Sequence, residues 1–151
     1  MIAGTFDIIH PGHIYFINEA AKLGEVYVVV ATDRNAKRFK GKTPVVPEKQ
    51  RVEVIQSIKN VHKAILGNEK NDTLKTVEDI DPDIILLGPD QKYSSEKLKS
   101  SLEEKGLGHI EVRRLETYYD KYKLHSSSLI KKKIINRYKK ESGSEPSVNP
   151  S

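Results

Sequence analysis

The amino-acid sequence predicts an α/β fold in which a mostly parallel sheet is covered by helices. Two short runs, Val26–Ala31 and Asp83–Leu87, are rich in apolar and β-branched residues, as expected of strands buried on both faces. Amphipathic stretches of helical length separate these runs from weaker strand candidates, which is the pattern of repeated βαβ units. The 151 residues are the usual size of one domain and suffice to bury a core.

Most of the helices have a sequence signal at one end or the other. Asp and Ser caps or a Pro-Glu pair open them, and a glycine or a following proline ends them. The predicted strands are Met1–Ala3, Val26–Ala31, Lys63–Leu66, Asp83–Leu87 and Ile110–Leu115. The predicted helices are Ile14–Leu23, Pro47–Ile58, Asp72–Ile80, Ser94–Lys105 and Ser127–Tyr138. The inner side of the last helix is expected to consist of Leu129, Ile130, Ile134 and Ile135.

Composition limits the class of protein. The domain is expected to span residues 1–138, and residues 139–151 are expected to be a disordered tail rich in Ser, Pro and Glu. The absence of cysteine excludes a disulfide scaffold and a thiolate metal site. No secretory signal or apolar run of membrane-spanning length is visible, so a cytoplasmic location is predicted. The formal charge of +5 suits an anionic partner but does not choose among RNA, a membrane surface and phosphorylated small molecules.

The strongest functional signal is Gly4–His13, with the sequence GTFDIIHPGH, which lies between a short strand and a helix. Pro11 and Gly12 place His10 and His13 three residues apart where the helix begins. Helix N-termini bind phosphate, and two imidazoles beside one could donate hydrogen bonds to a triphosphate and to the charge that develops when its α-phosphorus is attacked. A metal site and plain capping residues are the alternative interpretations.

The second region is the basic segment Lys37–Arg51, which looks mobile before it enters the second predicted helix at Pro47. Within it Lys40 and Lys42 flank a glycine. The family resemblance described below implies that lysines of this segment contact phosphates. A solvated basic loop without a ligand is the alternative interpretation.

Two further segments are predicted to complete the site. Leu87–Tyr93 follows a buried strand, and ligands of open α/β sheets bind beyond the carboxyl ends of strands. Gly88 would allow close approach of a ligand there, and Asp90 could read a base edge, although an ordinary turn has the same composition. Ser126 and Ser127 open the last helix and could form a second phosphate cradle, whereas a plain N-cap would explain only one serine.

These motifs resemble those of the nucleotidylyltransferases. His10-Pro11-Gly12-His13 matches the HxGH signature, and the preceding GTFD matches that of the cytidylyltransferase-like branch. LGPDQ and the HSS before the last helix are similar to the archaeal-type FAD synthases, whereas the glycerol-phosphate cytidylyltransferases have GDDW-like and RTEGIST-like stretches. The resemblance covers nearly the whole chain up to about Tyr138 and implies a Rossmann-like three-layer sandwich, the HxGH nucleotidyltransferase fold.

The resemblance also implies roles for individual residues. The implied catalytic residues are His10, His13 and Lys42. The implied nucleotide-binding residues are Thr5, Phe6, His10, Pro11, Gly12, His13, Lys40, Gly88, Asp90, Ser126 and Ser127. Asp7 and Arg51 are implied in acceptor binding, with support of the fold as a second role for Arg51. No side chain is implied as a metal ligand.

The reaction implied by the resemblance is transfer of AMP from ATP to FMN, giving FAD and pyrophosphate. A divalent cation such as Mg²⁺ would be held mainly by substrate phosphates. The implied partners are ATP and FMN, with no nucleic acid or membrane, and a homodimer is compatible with the resemblance. The alternatives are a cytidylyltransferase acting on glycerol 3-phosphate or a similar alcohol phosphate, a pantetheine-phosphate or lipopolysaccharide-type adenylyltransferase, and a nucleotide- or RNA-binding module without turnover.

Overall fold

A computed structural model describes residues 1–69 and 72–143 of the chain. Its strands are β1 (Ile2–Gly4), β2 (Tyr27–Val30), β3 (Lys63–Leu66), β4 (Ile84–Leu87) and β5 (Glu111–Arg114). Its helices are α1 (Pro11–Ala21), α2 (Asp33–Lys40), α3 (Glu48–Gln56), α4 (Leu74–Ile80), α5 (Ser95–Glu104) and α6 (Ser127–Ser142). Strands and helices therefore alternate along the chain, except that α3 directly follows α2.

The strands of the described chain align in one parallel direction. β2 pairs in parallel with both β1 and β3, and β4 pairs in parallel with β5. Between the two groups, the amino group of Met1 donates to the Ile84 carbonyl (2.7 Å), and the Met1 carbonyl accepts from the Leu86 N–H (3.0 Å). In a parallel pair, a residue of one strand hydrogen bonds to two residues of the other strand that are two positions apart, as Met1 does here with Ile84 and Leu86. The spatial order is therefore β3-β2-β1-β4-β5.

Helices cover both faces of this sheet. Leu86 of β4 belongs to the same buried cluster as Ile17 of α1 and Ile55 of α3. Its neighbours Ile85 and Leu87 belong to a second cluster with residues of α4 and α5. Because successive side chains of a strand point to opposite faces, α1 and α3 lie on one face and α4 and α5 on the other. The predicted α/β sandwich with a parallel sheet is confirmed.

The strand order reverses between β1 and β4. Chain connections leave β1 toward β2 and β3 on one side, and reach β4 and β5 on the other. In open sheets such a reversal opens a crevice beyond the carboxyl ends of the two central strands, and ligands bind there. The loops after β1 and β4, which carry two of the predicted motifs, both start at this edge.

The basic segment after β2 is largely helical. Asp33–Lys40 forms α2, so the interpretation of Lys37–Lys40 as a mobile loop is wrong. Thr32 caps the helix by accepting from the Asn35 N–H (3.1 Å), and Gly41 ends it with a φ of 73°. The helix has no apolar periodicity because nearly all its residues are polar, and its caps alone mark it.

The last helix lacks the inner face that the sequence predicted. No residue of α6 is buried. The exposed apolar side chains of this helix include Leu129, Ile134 and Ile135, and Ile130 is half-buried, so the predicted inner side is wrong. The helix continues to Ser142, beyond the predicted boundary at Tyr138, and residues 144–151 of the predicted tail lie outside the described residues. Neither α6 nor any other helix of the described chain has the length and apolar character needed to cross a membrane.

Candidate active site

The two signature histidines lie together at the start of α1. The helix begins at Pro11, earlier than the sequence predicted, so His10 is its N-cap residue and His13 lies in its first turn. Their rings stack with centroids 3.7 Å apart, and the Phe6 ring packs against His13 at 5.1 Å. Phe6 has a φ of 50°, which is uncommon for a bulky residue. The loop after β1 therefore holds strained backbone against the histidine pair, as functional sites often do.

Both imidazoles are held in their uncharged form. Burial, together with the nearby charges of His10 and Lys40, lowers the pKa of His13 to about 3. Burial also lowers the pKa of His10, and the charge of His125 adds to this effect. The Nδ1 atoms of His10 and His13 are buried and have no hydrogen-bond partner among the described residues. Because buried polar atoms are nearly always paired, these two atoms need a partner that the described residues do not supply, such as a water or a ligand.

The start of α6 meets the same turn. Ser127 Oγ donates to the Ile8 carbonyl (3.0 Å) and accepts from the Ile8 N–H (3.3 Å). Gly12 is required by close approach, since a Cβ atom at this position would lie 2.7 Å from the His125 carbonyl oxygen. The N-termini of α1 and α6 therefore converge at the histidines, and free N–H groups of both can reach the same ligand.

Cationic side chains surround the histidine pair. Lys131 of α6 forms an ion pair with Asp7, whose other oxygen accepts from the Val46 N–H (2.9 Å). Burial opposes ionisation of Asp7, but its hydrogen bonds outweigh burial and lower the pKa of this carboxyl. Burial lowers the pKa of Lys40; Asp7 opposes this shift, and the charges of Lys131 and Arg51 add to it. Both oxygens of Asp7 are thus paired within the protein. The cations beside it outnumber this one carboxylate, so the site as a whole attracts an anion.

Arg51 fixes the rim of the sheet. Its side chain has no exposed surface, and its guanidinium donates to the carbonyls of Thr5, Ala31 and Val46. It also forms an ion pair with Asp33 at 2.7 Å. Four of its five N–H donors are therefore used inside the protein. Of its two expected roles, these contacts support the fold, whereas acceptor binding does not fit a buried guanidinium whose donors are mostly paired within the protein.

Two residues that sequence reasoning did not select fix the loop after β4. Gln91 Oε1 accepts from the Gly88 N–H (3.0 Å), and its Nε2 donates to the Ala3 carbonyl of β1 (2.7 Å). Arg114, at the end of β5, donates to the carbonyls of Gly88 (2.8 Å) and Gln91 (3.0 Å). Both residues were visible in the sequence, Gln91 as the last residue of LGPDQ and Arg114 at a strand end. Neither position alone predicts which backbone groups the side chain contacts.

Lys131 is the third residue that the sequence reasoning missed. It lies four residues after Ser127, so the two side chains occupy the same face of α6. This spacing was visible in the sequence. It did not distinguish Lys131 from its basic neighbours, because the contact with Asp7 is set by how α6 docks rather than by the local pattern.

The remaining predicted residues lie around this centre. The side chain of Asp90 hydrogen bonds to the Tyr118 hydroxyl, which raises the pKa of that tyrosine. Lys42 is exposed and makes no hydrogen bond or ion pair within residues 1–69 and 72–143, whereas the charge of Lys40 acts on His13. Ser126 accepts a backbone hydrogen bond as the N-cap of α6. The structure therefore brings the charge of Lys40 to the histidines, and a role of Lys42 at the phosphates stays a prediction.

Comparison with known proteins gives the family. Residues 1–133 match the cytidylyltransferase-like family. The chain is 46% identical over 138 residues to the FAD synthase of Methanobrevibacter smithii, a match that covers 89% of this chain and 88% of that protein. It is 48% identical over 138 residues to the FAD synthase of Methanothermobacter thermautotrophicus, covering 89% of each. The chain belongs to the FAD synthase family. The family resemblance read from GTFD, HxGH and LGPDQ is confirmed.

Solved structures agree with the fold of this FAD synthase family member. A protein from Thermoplasma volcanium, described as a lipopolysaccharide core biosynthesis protein, superposes with a TM-score of 0.74 at 42% identity. The match covers 80% of this chain and 96% of that one. A protein of unknown function from Archaeoglobus fulgidus gives a TM-score of 0.60 at 22% identity, covering 83% and 91%, and it supports the fold alone.

Replacing Arg51 with Met in this FAD synthase family member should lower the free energy of unfolding by about 3 to 5 kcal/mol. The methionine removes the guanidinium donor from Asp33 Oδ1 and from three backbone carbonyls. Denaturant unfolding measures the change. Arg113→Met is the matched control, since Arg113 is exposed and pairs with Glu111 at the surface, and it should leave the free energy of unfolding nearly unchanged. Equal losses in the two variants would show that Arg51 does not hold the rim.

The ring of His13 should titrate far below the ordinary histidine range when followed by NMR, because its pKa in the folded protein is about 3. The unfolded value is about 6.5, so protonation favours the unfolded chain. Stability from the neutral ring is complete above about pH 6.5 and is lost progressively as the pH falls toward 3. His13→Asn should flatten this part of the stability curve. A His13 ring that titrates near pH 6.5, or a variant with unchanged pH dependence, would contradict the assignment.

Proposed function

We propose that this protein transfers AMP from ATP to FMN, giving FAD and pyrophosphate. The observation that carries the proposal is the convergence of His10, His13 and the N-termini of α1 and α6 at one edge of the sheet. Free N–H groups, helix dipoles and the lysines beside them suit a polyphosphate. The FAD synthases that are 46% and 48% identical to the chain supply the identity of the acceptor.

The chemistry is an in-line attack of the FMN phosphate on the α-phosphorus of ATP, with pyrophosphate leaving. A phosphate monoester is already largely ionised near neutral pH, so no side chain needs to act as a base. Catalysis then comes from positioning and from stabilisation of charge. Each neutral imidazole keeps one N–H donor, so His10 and His13 would donate to the triphosphate and to the charge that develops on the transferring group. Lys40 and Lys131 would neutralise phosphate charge.

The other site residues would position the substrates. The backbone of Thr5 and Phe6 would lie along the nucleotide, and the loop from Gly88 to Asp90 would lie near its base. The N-terminus of α6 would hold the β- or γ-phosphate. Asp7 would act on Lys131, by holding its ammonium beside the phosphates, instead of binding the acceptor directly.

A divalent cation such as Mg²⁺ would be held mainly by the substrate phosphates, whose charge it would neutralise. Residues 1–69 and 72–143 contain no group of three or more acidic or histidine side chains that could hold a metal ion. Asp7, whose charge acts on His13, is already engaged by Lys131 and Val46. These residues fit a cation that arrives with the triphosphate better than a cage made by the protein.

A substrate matrix tests the proposal. ATP and CTP are each combined with FMN, glycerol 3-phosphate and phosphopantetheine, and the products are identified by mass spectrometry. ATP with FMN should give FAD and release pyrophosphate. A CDP-alcohol product would identify a cytidylyltransferase, and a dephospho-coenzyme A product would identify a phosphopantetheine adenylyltransferase. Nucleotide binding without pyrophosphate in any combination would identify a binding module, and each of these three results would overturn the proposal.

His13→Ala should lower kcat by at least about 100-fold, because it removes a donor aimed at the developing charge. His109→Ala is the matched control. His109 is exposed, pairs with Asp81, and lies before β5 at the opposite edge of the sheet, so its loss should leave turnover unchanged. Circular dichroism of both variants reports whether the fold persists. Wild-type turnover in a folded His13→Ala variant would defeat the catalytic assignment.

A further inference from the structure

The side chain of Gln91 joins the two central strands at their carboxyl ends. Its Oε1 accepts from the N–H of Gly88, directly after β4 (3.0 Å), and its Nε2 donates to the Ala3 carbonyl of β1 (2.7 Å). We name these two bonds the Gln91 bridge. The bridge lies where the strand order reverses, and ligands of open α/β sheets bind in the crevice at such a point.

The Gln91 bridge takes the place of a bond in the parallel ladder between β1 and β4. The Leu86 N–H donates to the Met1 carbonyl (3.0 Å). Bonds of a parallel pair recur every two residues, so the next one would join the Gly88 N–H to the Ala3 carbonyl. Both of these groups bond to the Gln91 amide instead. The strand ends are therefore held farther apart than a direct hydrogen bond would hold them.

The backbone on both sides of the bridge is fixed. The Arg114 guanidinium donates to the carbonyls of Gln91 (3.0 Å) and Gly88 (2.8 Å). The Gln91 N–H donates to the Gly88 carbonyl (3.3 Å) and closes a turn. In β1, the Gly4 carbonyl accepts from the Ala31 N–H beyond β2 (2.9 Å). Because both ends are anchored, the amide acts as a spacer of set length.

The position of the end of β1 affects the histidine pair. Gly4 follows Ala3, and a Cβ atom at Gly4 would lie 2.9 Å from the Phe6 ring. That ring packs against the His13 ring, with the two centroids 5.1 Å apart. A movement of the end of β1 toward β4 would therefore shift the aromatic ring against which His13 packs.

In the proposed function, ATP lies across this crevice, with its triphosphate at the histidines and its base near the Gly88 loop. We propose that Gln91 is a positioning residue that holds the crevice open for ATP in the free enzyme. Without its amide, the Gly88 N–H and the Ala3 carbonyl would pair directly and extend the ladder by one bond. ATP would then have to break that bond before it binds. The inference rests on the proposed function for the identity of the ligand.

Gln91→Ala should raise the KM for ATP about three- to tenfold, the equivalent of one net hydrogen bond. The kcat and the KM for FMN should stay at their wild-type values, since the crevice is open once ATP is bound. Gln91→Met keeps the length of the side chain without its hydrogen bonds, so it should raise the KM for ATP less. Rates of pyrophosphate release with separate variation of ATP and FMN give these values. An equal rise in the two variants, or an equal rise for both substrates, would overturn the spacing role.

Gln56→Ala is the matched control, since the Gln56 amide also joins two backbone groups. Its Oε1 accepts from the Ala64 N–H (2.7 Å), and its Nε2 donates to the His62 carbonyl (3.4 Å). These groups lie at the start of β3, at the opposite edge of the sheet from the site, so the KM for ATP should not change. A rise equal to that of Gln91→Ala would overturn the inference. So would a wild-type KM for ATP in Gln91→Ala that circular dichroism shows to be folded.

NMR coupling across hydrogen bonds tests the same point without turnover. In the wild type, the Gly88 N–H should couple to the side-chain carbonyl of Gln91, both in the free protein and with a non-hydrolysable ATP analogue. In free Gln91→Ala it should couple to the Ala3 carbonyl. Absence of the first coupling, or of the second in the folded variant, would overturn the inference. Failure of the proposed function is distinct, since the wild-type protein would then form no FAD while the first coupling remained.

Discussion

The buried guanidinium of Arg51 is the constraint on which the site depends. It reaches the ends of β1 and β2 through the carbonyls of Thr5 and Ala31, and the segment before α3 through Val46. Without Arg51 these partly buried backbone carbonyls would lose a donor inside the protein, and an unpaired acceptor that is shielded from water is costly. The interaction fixes where the loop after β1 leaves the sheet. The positions of Phe6, Asp7 and the histidine turn all follow from that point.

The chemical properties of the site come from the polar groups at this rim that have no partner among the described residues, above all the rings of His10 and His13. The two histidines stack in a buried position in which neither is charged, and their Nδ1 atoms have no partner among the described residues. Lys40 and Lys131 add positive charge, while both oxygens of the Asp7 carboxylate are bound by Lys131 and the Val46 N–H. Neutral donors, lysine charge and two helix N-termini are therefore gathered at one place, where the ionised carboxylate of Asp7 is already paired. That combination suits phosphoryl chemistry in which the acceptor is already a nucleophile.

Helix α6 is joined to the rest of the domain mainly through polar contacts at its N-terminal turn. Ser127 bonds to Ile8, and Lys131 pairs with Asp7, while no residue of the helix is buried. These contacts hold the N-terminus of the helix beside the histidine turn. The apolar side chains farther along α6 contribute nothing to the described core.

The sequence predicted the parts of the structure that local pattern determines. The strand Lys63–Leu66 has the predicted bounds, and HxGH lies at the start of a helix as expected. Apolar periodicity does not show whether another element covers a helix. The helix face that carries Ile134 was therefore predicted to pack against the core, whereas it is exposed. A polar helix such as α2 has no periodicity to detect. The roles of Arg51, Gln91 and Lys131 depend on contacts between segments distant in sequence, which only the folded chain reveals.

The most direct test of this account is a crystal structure with a non-hydrolysable ATP analogue and Mg²⁺. The account predicts phosphate oxygens within hydrogen-bond distance of the His10 or His13 ring and of backbone N–H groups at the start of α6. It also predicts that the base lies on the side of the Gly88 loop. A triphosphate bound elsewhere, with both imidazoles and the α6 N-terminus unliganded, would contradict it.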